Sequence, residues 1–247
     1  MEKPKTAAVL VIGDEVLTGR TQDTNTNTIA RFLAVHGIDL KEARVVGDVE
    51  SEIVAALNAL REKYDFVFTT GGIGPTHDDI TADAIAAAFG VGIDFHPQAW
   101  ALLEARYGKE EFNAMRQRMA RIPHGAALIE NRVSVAPGFH IGNVFVLAGV
   151  PAIARAMLET LALPQGVKVH TVTITAPVPE GRIAEALARV QKNQPDTAIG
   201  SYPFYTADGA FGVQLVVRGR DAAAVEAAAA AIEAQLRCLG AASQRDN

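Results

Sequence analysis

The sequence predicts an α/β protein in which a doubly wound, mostly parallel sheet is followed by a smaller α+β module. In the first part of the chain, short apolar runs alternate with apolar residues at helical spacing, as in sheets built from strand–helix–strand crossovers. Beyond the Leu-Pro-Gln-Gly segment at residues 163–166, the order of predicted elements changes to βαββα. We therefore expect two domains, residues 1–163 and residues 164–247.

The elements of the first domain follow from local patterns along the chain. Residues 7–12 form an unbroken apolar run, which is typical of a strand buried on both faces of a parallel sheet. Ile29 and Leu33 then fall at helical spacing, and Gly37 is placed to end that helix. Further strands are predicted at residues 41–46, 66–68, 133–135 and 144–147, and further helices around residues 53–60, at residues 81–89, 97–107 and 110–121, and after Pro151.

The second domain is predicted to contain three strands and two helices. Residues 167–174 alternate between apolar and polar side chains, which indicates a strand with one buried face. The last helix is rich in alanine, a strong helix former. The other strands are predicted at residues 197–202 and 212–218, and the helices at residues 182–190 and 221–236.

Composition and charge narrow the classes of function. The 247-residue chain carries a formal net charge of −5, which argues against a general nucleic-acid binder. Its single cysteine, Cys238, excludes an internal disulfide framework and a cysteine-based zinc cluster. No stretch approaches the roughly 18 apolar residues of a membrane span. We therefore expect a cytoplasmic protein that binds a small molecule rather than nucleic acid or membrane, and a homo-oligomeric assembly stays open.

The most informative segment, residues 69–81, follows a predicted buried strand and opens a helix. Gly71, Gly72 and Gly74 allow the backbone to approach a ligand closely and to direct N–H groups at a phosphate. The amino end of the following helix adds further N–H groups. The segment is neither a P-loop nor a dinucleotide fingerprint. The alternative is a tight strand-to-helix turn that Asp79 caps.

Acidic residues near this loop change the interpretation. Asp78 and Asp79 would repel a phosphate unless a cation intervenes or they do acid–base work, and Mg²⁺ commonly joins one or two carboxylates to substrate phosphates. A second acidic pair, Asp14 and Glu15, follows the first predicted strand. Since the first and third strands of a doubly wound sheet commonly lie side by side, we expect both pairs at one crevice. A solvated loop is the alternative for Asp14 and Glu15.

Residues 71–81 resemble the signature of the molybdopterin-binding (MoaB/MogA-like) domain family, Gly-Gly-x-Gly-x-x-x-x-Asp-x-Thr. The longer segment at residues 69–81, Thr-Thr-Gly-Gly-x-Gly-Pro-Thr-x-Asp-Asp-x-Thr, is similar to the N-terminal domain of the competence/damage-inducible protein A (CinA) family. Other segments that match landmarks of that family lie at residues 12–19, 23–25, 136–139 and 147–151, with Ala148 where proline is common. Residues 199–203 resemble part of the related domain of eukaryotic FAD synthases.

The resemblance implies a MoaB/MogA-like fold and a divalent-metal-dependent nucleotide pyrophosphatase that acts on ADP-ribose- or FAD-like diphosphates. It implies that Asp14, Asp78 and Asp79 are catalytic and hold the metal, with Mg²⁺ as the expected ion. The residues expected to bind the phosphorylated ligand are Gly13, Glu15, Gly71, Gly72, Gly74, Thr76, Thr81 and Gly149. Members of the family often carry a further amidohydrolase domain, and its deamidation of nicotinamide nucleotides is not expected of this chain.

Two other functions stay open at the level of sequence. A molybdopterin-binding protein of molybdenum-cofactor biosynthesis would hold the phosphate of its pterin in the same loop. A ligand-sensing module without catalysis is the third alternative. One fold and one phosphate loop serve all three, so the fold does not choose among them. The doublet of Asp78 and Asp79 and the second module favour the CinA-like function.

Overall fold

A computed structural model describes residues 3–206 and 209–246 of the chain. The chain divides into two compact units, Met1–Gly166 and Val167–Asn247. The first unit contains a six-stranded sheet, and the second contains a four-stranded antiparallel sheet. The predicted fold class, an α/β fold with a mostly parallel main sheet and a smaller module, is confirmed.

The main sheet brings the first three long strands together. The strands of the first unit are β1 (Thr6–Ile12), β2 (Asp39–Val46), β3 (Phe66–Thr70), β4 (Ile93–Phe95), β5 (Arg121–Pro123), β6 (Ala127–Ile129), β7 (Gly138–Ile141) and β8 (Val144–Leu147). Their order in the main sheet is β2-β1-β3-β8-β7-β6, while β4 and β5 pair separately. The pairs β1–β2, β1–β3 and β3–β8 are parallel, so the carboxyl ends of these four strands lie at one edge.

Helices cover both faces of this sheet. They are α1 (Asp14–Leu17), α2 (Asn25–Val35), α3 (Glu50–Lys63), α4 (Thr81–Phe89), α5 (Pro97–Glu111), α6 (Ala114–Gln117) and α7 (Pro151–Leu158), with a 3₁₀ helix at Arg118–Ala120. Leu10 and Ile53 belong to one apolar core, whereas Val9 and Ile29 belong to the core on the other face. Because successive side chains of a strand point to opposite faces, β1 requires apolar residues throughout.

The prediction of one continuous helix at residues 110–121 is wrong. Gly108 has φ 73° and ψ 160° and interrupts helical geometry near the end of α5. Asn113 then caps a new short helix, since its side chain accepts the N–H of Arg116. The 3₁₀ helix follows and leads directly into β5. An apolar stripe at helical spacing concealed these two interruptions, although glycine and asparagine are residues that end and begin helices.

A turn replaces the strand predicted at residues 133–135. The side-chain oxygen of Asn131 accepts the N–H groups of Val133 and Ser134, at 3.0 Å and 3.2 Å. Val135 has φ 72°, a conformation that a β-branched residue rarely adopts. The side chain of Asn131 therefore offers this backbone partners that compete with a strand ladder.

The second unit has the predicted order βαββα and one additional strand. Its elements are β9 (His170–Ala176), α8 (Glu180–Asn193), β10 (Thr197–Tyr205), β11 (Phe211–Gly219), α9 (Ala222–Cys238) and β12 (Gln244–Asp246). The strand order is β10-β11-β9-β12, and Ile174, Leu215 and Ile232 are buried between the sheet and its helices. None of the helices in the described residues has the length and apolar character required to cross a membrane.

Candidate functional site

The loop between β3 and α4 is closed by the side chain of Asp79. Its Oδ1 accepts the N–H of Gly74 at 2.7 Å, and its Oδ2 accepts the N–H of Thr76 at 2.7 Å. The hydroxyl of Thr76 donates to the same Oδ2 at 2.5 Å. The residue that precedes α4 is Ile80, and no side chain caps that helix. Asp79 therefore folds the glycine loop and does not cap the helix.

Two glycines of the loop occupy positions that exclude a side chain. Gly71 has φ 101°, and a Cβ there would lie 2.1 Å from the carbonyl oxygen of Ile12. Gly72 has φ 66°, and a Cβ there would lie 2.2 Å from Oγ1 of Thr81. Both φ values lie in the left-handed region that glycine adopts without strain. The strand ends β1 and β3 and the start of α4 can approach closely only because these residues lack side chains.

Not all three glycines of the loop have an N–H group that is free to bind a ligand, contrary to the expectation from the sequence. The N–H of Gly71 donates to the carbonyl of Leu147 at 3.3 Å, and that of Gly74 donates to Asp79. Within residues 3–206 and 209–246, the N–H groups of Gly72 and Ile73 have no acceptor. The part of the loop free to bind a phosphate is therefore Gly72 and Ile73.

Two other expected ligand residues have structural contacts instead. Thr81 is fully buried, and its hydroxyl donates to the carbonyl of Gly71 at 2.9 Å. Gly149 accepts a hydrogen bond from Nδ2 of Asn25 at 2.7 Å, and a Cβ there would lie 3.2 Å from Cα of Gly71. The expectation that Thr81 contacts the ligand is wrong for this arrangement, because its hydroxyl is buried against the loop. Gly149 supports the loop from the end of β8.

Acidic residues from three neighbouring strand ends meet in one cavity of about 230 Å³. Glu15 follows β1, Asp48 follows β2, and Asp78 lies in the loop that follows β3. The cavity is lined by Ile12, Gly13, Glu15, Asp48, Gly72, Thr76, Asp78 and Asp79. Glu15 folds back over Gly13, where a Cβ would lie 2.5 Å from its Oε2. We call this cavity the acidic pocket.

Of the acidic residues predicted to meet at the site, Asp14 does not line the acidic pocket, whereas Asp48, which was not predicted, does. The N–H of Asp14 donates to Oδ2 of Asp48 at 3.0 Å, and the N–H of Asp48 lies 3.4 Å from Oδ1 of Asp14. The carboxylate of Asp14 lies against Gly47, where a Cβ would be 2.4 Å from Oδ1. Asp14 does not line the acidic pocket, so its predicted direct role in metal binding is not supported by its orientation.

The charges of the acidic pocket are poorly compensated. Burial raises the pKa of Asp48, and the negative charges of Asp14, Glu15 and Asp78 raise it further. Among the described residues, no cationic side chain pairs with Asp48 or Glu15. The Thr76 hydroxyl is the main cause of a lowered pKa at Asp78, an exposed residue. The pocket therefore combines uncompensated carboxylates with the free N–H of Gly72.

The donor atoms of this pocket suit a hard divalent cation. The described part of the chain contains no group of three His, Cys, Asp or Glu side chains arranged to hold a metal ion. Mg²⁺, however, is usually bound by one or two carboxylates together with substrate phosphates and water. Glu15, Asp48 and Asp78 provide such oxygen donors in the cavity that Gly72 also lines. The residues fit a cation that binds together with a phosphorylated ligand.

A second, smaller cavity shares Gly72 and Asp79 with the acidic pocket. It measures about 20 Å³ and is lined in part by Gly74, Arg118 and Phe139. Sequence reasoning did not identify Arg118, because the segment that carries it was predicted as one continuous helix. No signal in the sequence connects this arginine with the glycine loop. Only the fold of α5, α6 and the 3₁₀ helix brings it there.

Residues 8–168 match the family described as the probable molybdopterin binding domain. Residues 168–241 match the middle domain of FAD synthase. The two matches correspond closely to the two compact units of the structure.

Relatives of the chain include proteins and a solved structure of the CinA type. A protein of Thermoplasma acidophilum is 34% identical over 207 aligned positions, and the match covers 81% of each chain. A CinA-like protein of Frankia casuarinae is 32% identical, and the match covers 95% of this chain and 59% of the Frankia protein. The crystal structure of CinA from Thermoplasma acidophilum, a protein described as having unknown function, is 37% identical with a TM-score of 0.60. That match covers 63% of this chain and 95% of the crystallised chain.

Proposed function

Since the chain belongs to the CinA-like group of the probable molybdopterin-binding domain family, we propose that its first unit binds a phosphorylated ligand in the acidic pocket. The reaction we propose is hydrolysis of the diphosphate bond of an ADP-ribose- or FAD-like nucleotide, assisted by a divalent cation. One observation carries the proposal: uncompensated carboxylates share a cavity with the free N–H of Gly72. Carboxylates repel phosphate, so their presence beside such a donor is explained by a cation.

The residues of the site have different roles. The N–H groups of Gly72 and Ile73 bind phosphate oxygens, and Asp79 holds the loop in the shape that exposes them. Glu15 and Asp78 provide oxygen donors for the cation. When bound, the cation would neutralise charge on the diphosphate and lower the pKa of a bound water.

Asp48 is suited to accept a proton from the attacking water. Burial and the neighbouring negative charges raise the pKa of Asp48 above the ordinary value of an aspartate, which makes its carboxylate a better proton acceptor. The N–H of Asp14 donates to Oδ2 of Asp48 and fixes the orientation of that carboxylate. The backbone of Asp14 thus acts through Asp48 as a positioning group, and the carboxylate of Asp14 lies 3.4 Å from the N–H of Asp48.

A second candidate function is the binding of molybdopterin in molybdenum-cofactor biosynthesis. The description of the matching family favours it, and residues 8–168 cover all of the first unit's main sheet except the first two residues of β1. The free N–H groups of Gly72 and Ile73 suit the phosphate of a pterin equally well. The second unit matches the middle domain of FAD synthase, which supports the inclusion of FAD among the compounds tested.

A substrate screen separates these functions. Purified protein is incubated with ADP-ribose, FAD and NAD, in the presence of Mg²⁺ or Mn²⁺ or of EDTA, and release of AMP is measured by chromatography. We expect AMP from ADP-ribose or FAD only with a divalent cation. AMP release that persists in EDTA would contradict the role of the cation. Tight pterin binding without turnover of any nucleotide would select the second function, and nucleotide binding without turnover would indicate a sensing module.

A further inference from the structure

The guanidinium group of Arg118 is an incompletely bonded cation beside the glycine loop. Arg118 begins the 3₁₀ helix and is half-buried. Its Nη2 makes a long hydrogen bond of 3.4 Å to the carbonyl oxygen of Asp79. Its Nε is buried and has no hydrogen-bond partner among the described residues. A guanidinium has five N–H donors, so most of the bonding capacity of Arg118 is unused.

The neighbouring carboxylates are committed to other groups. Asp83 forms a two-point ion pair with Arg121, with N–O distances of 2.9 Å and 2.7 Å. Both oxygens of Asp79 accept hydrogen bonds from the loop. Within the described residues, Arg118 has no ion-pair partner. Because partial burial of an unpaired charge is unfavourable, an anion from outside the chain is the natural partner of this group.

The space beside Arg118 is small. The cavity of about 20 Å³ is bordered by Gly72, Gly74, Arg118, Pro137 and Phe139, among other residues. A volume of this size admits about one water molecule. A single phosphoryl oxygen is of similar size, whereas an entire phosphate group is not. The cavity therefore suits one oxygen of a phosphate whose remaining atoms lie outside it.

We propose that Arg118 binds an oxygen of a second phosphate, so that the site recognises a diphosphate rather than a monophosphate. Gly72 and Asp79 line both cavities, so the acidic pocket and the cavity beside Arg118 are adjacent. One phosphate binds with the cation in the acidic pocket, and the next phosphate meets the guanidinium in the adjacent cavity. The inference rests on the proposed function for the position of the ligand, and it adds a ligand-binding residue that distinguishes a diphosphate from a monophosphate.

Calorimetric titration with inorganic pyrophosphate and with inorganic phosphate, both in Mg²⁺, tests the inference without any turnover. We expect the wild-type protein to bind pyrophosphate more tightly than phosphate. In Arg118→Gln, pyrophosphate affinity should fall about tenfold or more, the usual range for a lost charge-assisted hydrogen bond. Arg118→Lys should be intermediate, because lysine keeps the charge but not the planar arrangement of donors. The control is Arg106→Gln, which removes an exposed arginine of α5 and should bind as the wild type does.

Thermal unfolding distinguishes a ligand residue from a structural one. Without ligand, Arg118→Gln should melt at or above the Tm of the wild type, because it removes a partly buried, unpaired charge. Equal pyrophosphate affinity in wild type and Arg118→Gln would overturn the inference, as would no binding by the wild type or a loss accompanied by a lowered Tm. The proposed function is judged separately by AMP release. A protein that releases no AMP but loses pyrophosphate binding in Arg118→Gln would refute that function and support the diphosphate site.

Discussion

The backbone N–H of Gly74 donates to Oδ1 of Asp79 at 2.7 Å and closes the glycine loop on itself. The opposite oxygen of the same carboxylate holds Thr76. The side chain of Asp79 thus holds both Gly74 and Thr76. The N–H groups of Gly72 and Ile73, which lie between β3 and Gly74, stay free. The role of Asp79 that the contacts support is to shape the site.

Asp79→Asn should reduce both activity and stability. An asparagine side chain has one acceptor oxygen and one NH₂ donor, so the NH₂ would face either the N–H of Gly74 or that of Thr76. The loop would lose its shape, and turnover should fall on the order of a hundredfold, as misplacement of a binding group commonly causes. The free energy of unfolding should fall by about 1–3 kcal/mol, the range for hydrogen bonds to a charged group. Turnover and Tm of the purified variant are the measurements.

Asp94→Asn is the matched control for this variant. Asp94 is exposed, lies in the same unit, and accepts one hydrogen bond, from the N–H of Phe95. It should retain the activity and Tm of the wild type. If Asp79→Asn behaved like this control, the two-sided hydrogen bonding of Asp79 would have no consequence for the loop.

Gly72→Ala should abolish ligand binding and destabilise the first unit. Its Cβ would lie 2.2 Å from the buried hydroxyl of Thr81, and its φ of 66° is unfavourable for alanine. Gly90→Ala is the matched control, since Gly90 has φ 64° but no heavy atom within 4 Å of the added Cβ. Both variants place alanine at a positive φ, which costs on the order of 1–3 kcal/mol. Thermal unfolding should show a larger fall in Tm for Gly72→Ala than for Gly90→Ala, and chemical unfolding should show a larger fall in the free energy of unfolding. Equal falls in the two variants would argue against the close contact with Thr81.

Much of the main sheet could be predicted because both faces of β1 are buried, which leaves an unbroken apolar run in the sequence. The meeting of Glu15 with Asp78 was also predictable, since β1 and β3 are neighbours and their carboxyl ends share an edge. Asp48 could have been found by the same rule, because it follows β2 at that edge. Its signal was weaker, since a lone aspartate after a strand is common in solvated loops.

Other features depend on side-chain directions that no spacing encodes. The carboxylate of Asp14 turns towards Gly47 rather than into the acidic pocket, although Asp14 and Glu15 are adjacent in sequence. Similarly, the hydroxyl of Thr81 is buried against the glycine loop. The proximity of Arg118 to that loop depends on the breaks at Gly108 and after α5, where local interruptions outweighed an apolar stripe of helical period.

Asp48→Asn should stabilise the ligand-free protein near pH 7 and not at low pH. The pKa of Asp48 is raised in the folded protein, so its contribution to stability is fully present below the ordinary carboxyl pKa and is lost as the pH rises through the folded pKa. Removal of the charge restores that contribution at neutral pH, while the amide oxygen still accepts the N–H of Asp14. Tm measured between pH 3 and pH 8, in EDTA and at constant ionic strength, is the test. If Asp48→Asn were less stable than the wild type at pH 7, the claim that the charge of Asp48 is uncompensated would be contradicted.

Glu15→Gln should weaken the binding of the divalent cation while it leaves the fold intact. The carboxylate of Glu15 is exposed, lines the acidic pocket and has no hydrogen-bond or ion-pair partner among the described residues, so the amide replaces it without loss of a structural contact. Loss of one anionic oxygen ligand should raise the Mg²⁺ concentration for half-maximal AMP release by about tenfold or more, because Mg²⁺ relies on few carboxylates and on their charge. Glu50→Gln, an exposed glutamate in the first turn of α3, is the control and should titrate with Mg²⁺ as the wild type does. The measurements are initial rates over a range of Mg²⁺ concentrations, with Tm recorded for each protein. An unchanged Mg²⁺ dependence in Glu15→Gln, at full activity, would remove Glu15 from the cation site. Asp78 would then be the one remaining carboxylate that we assign to the cation.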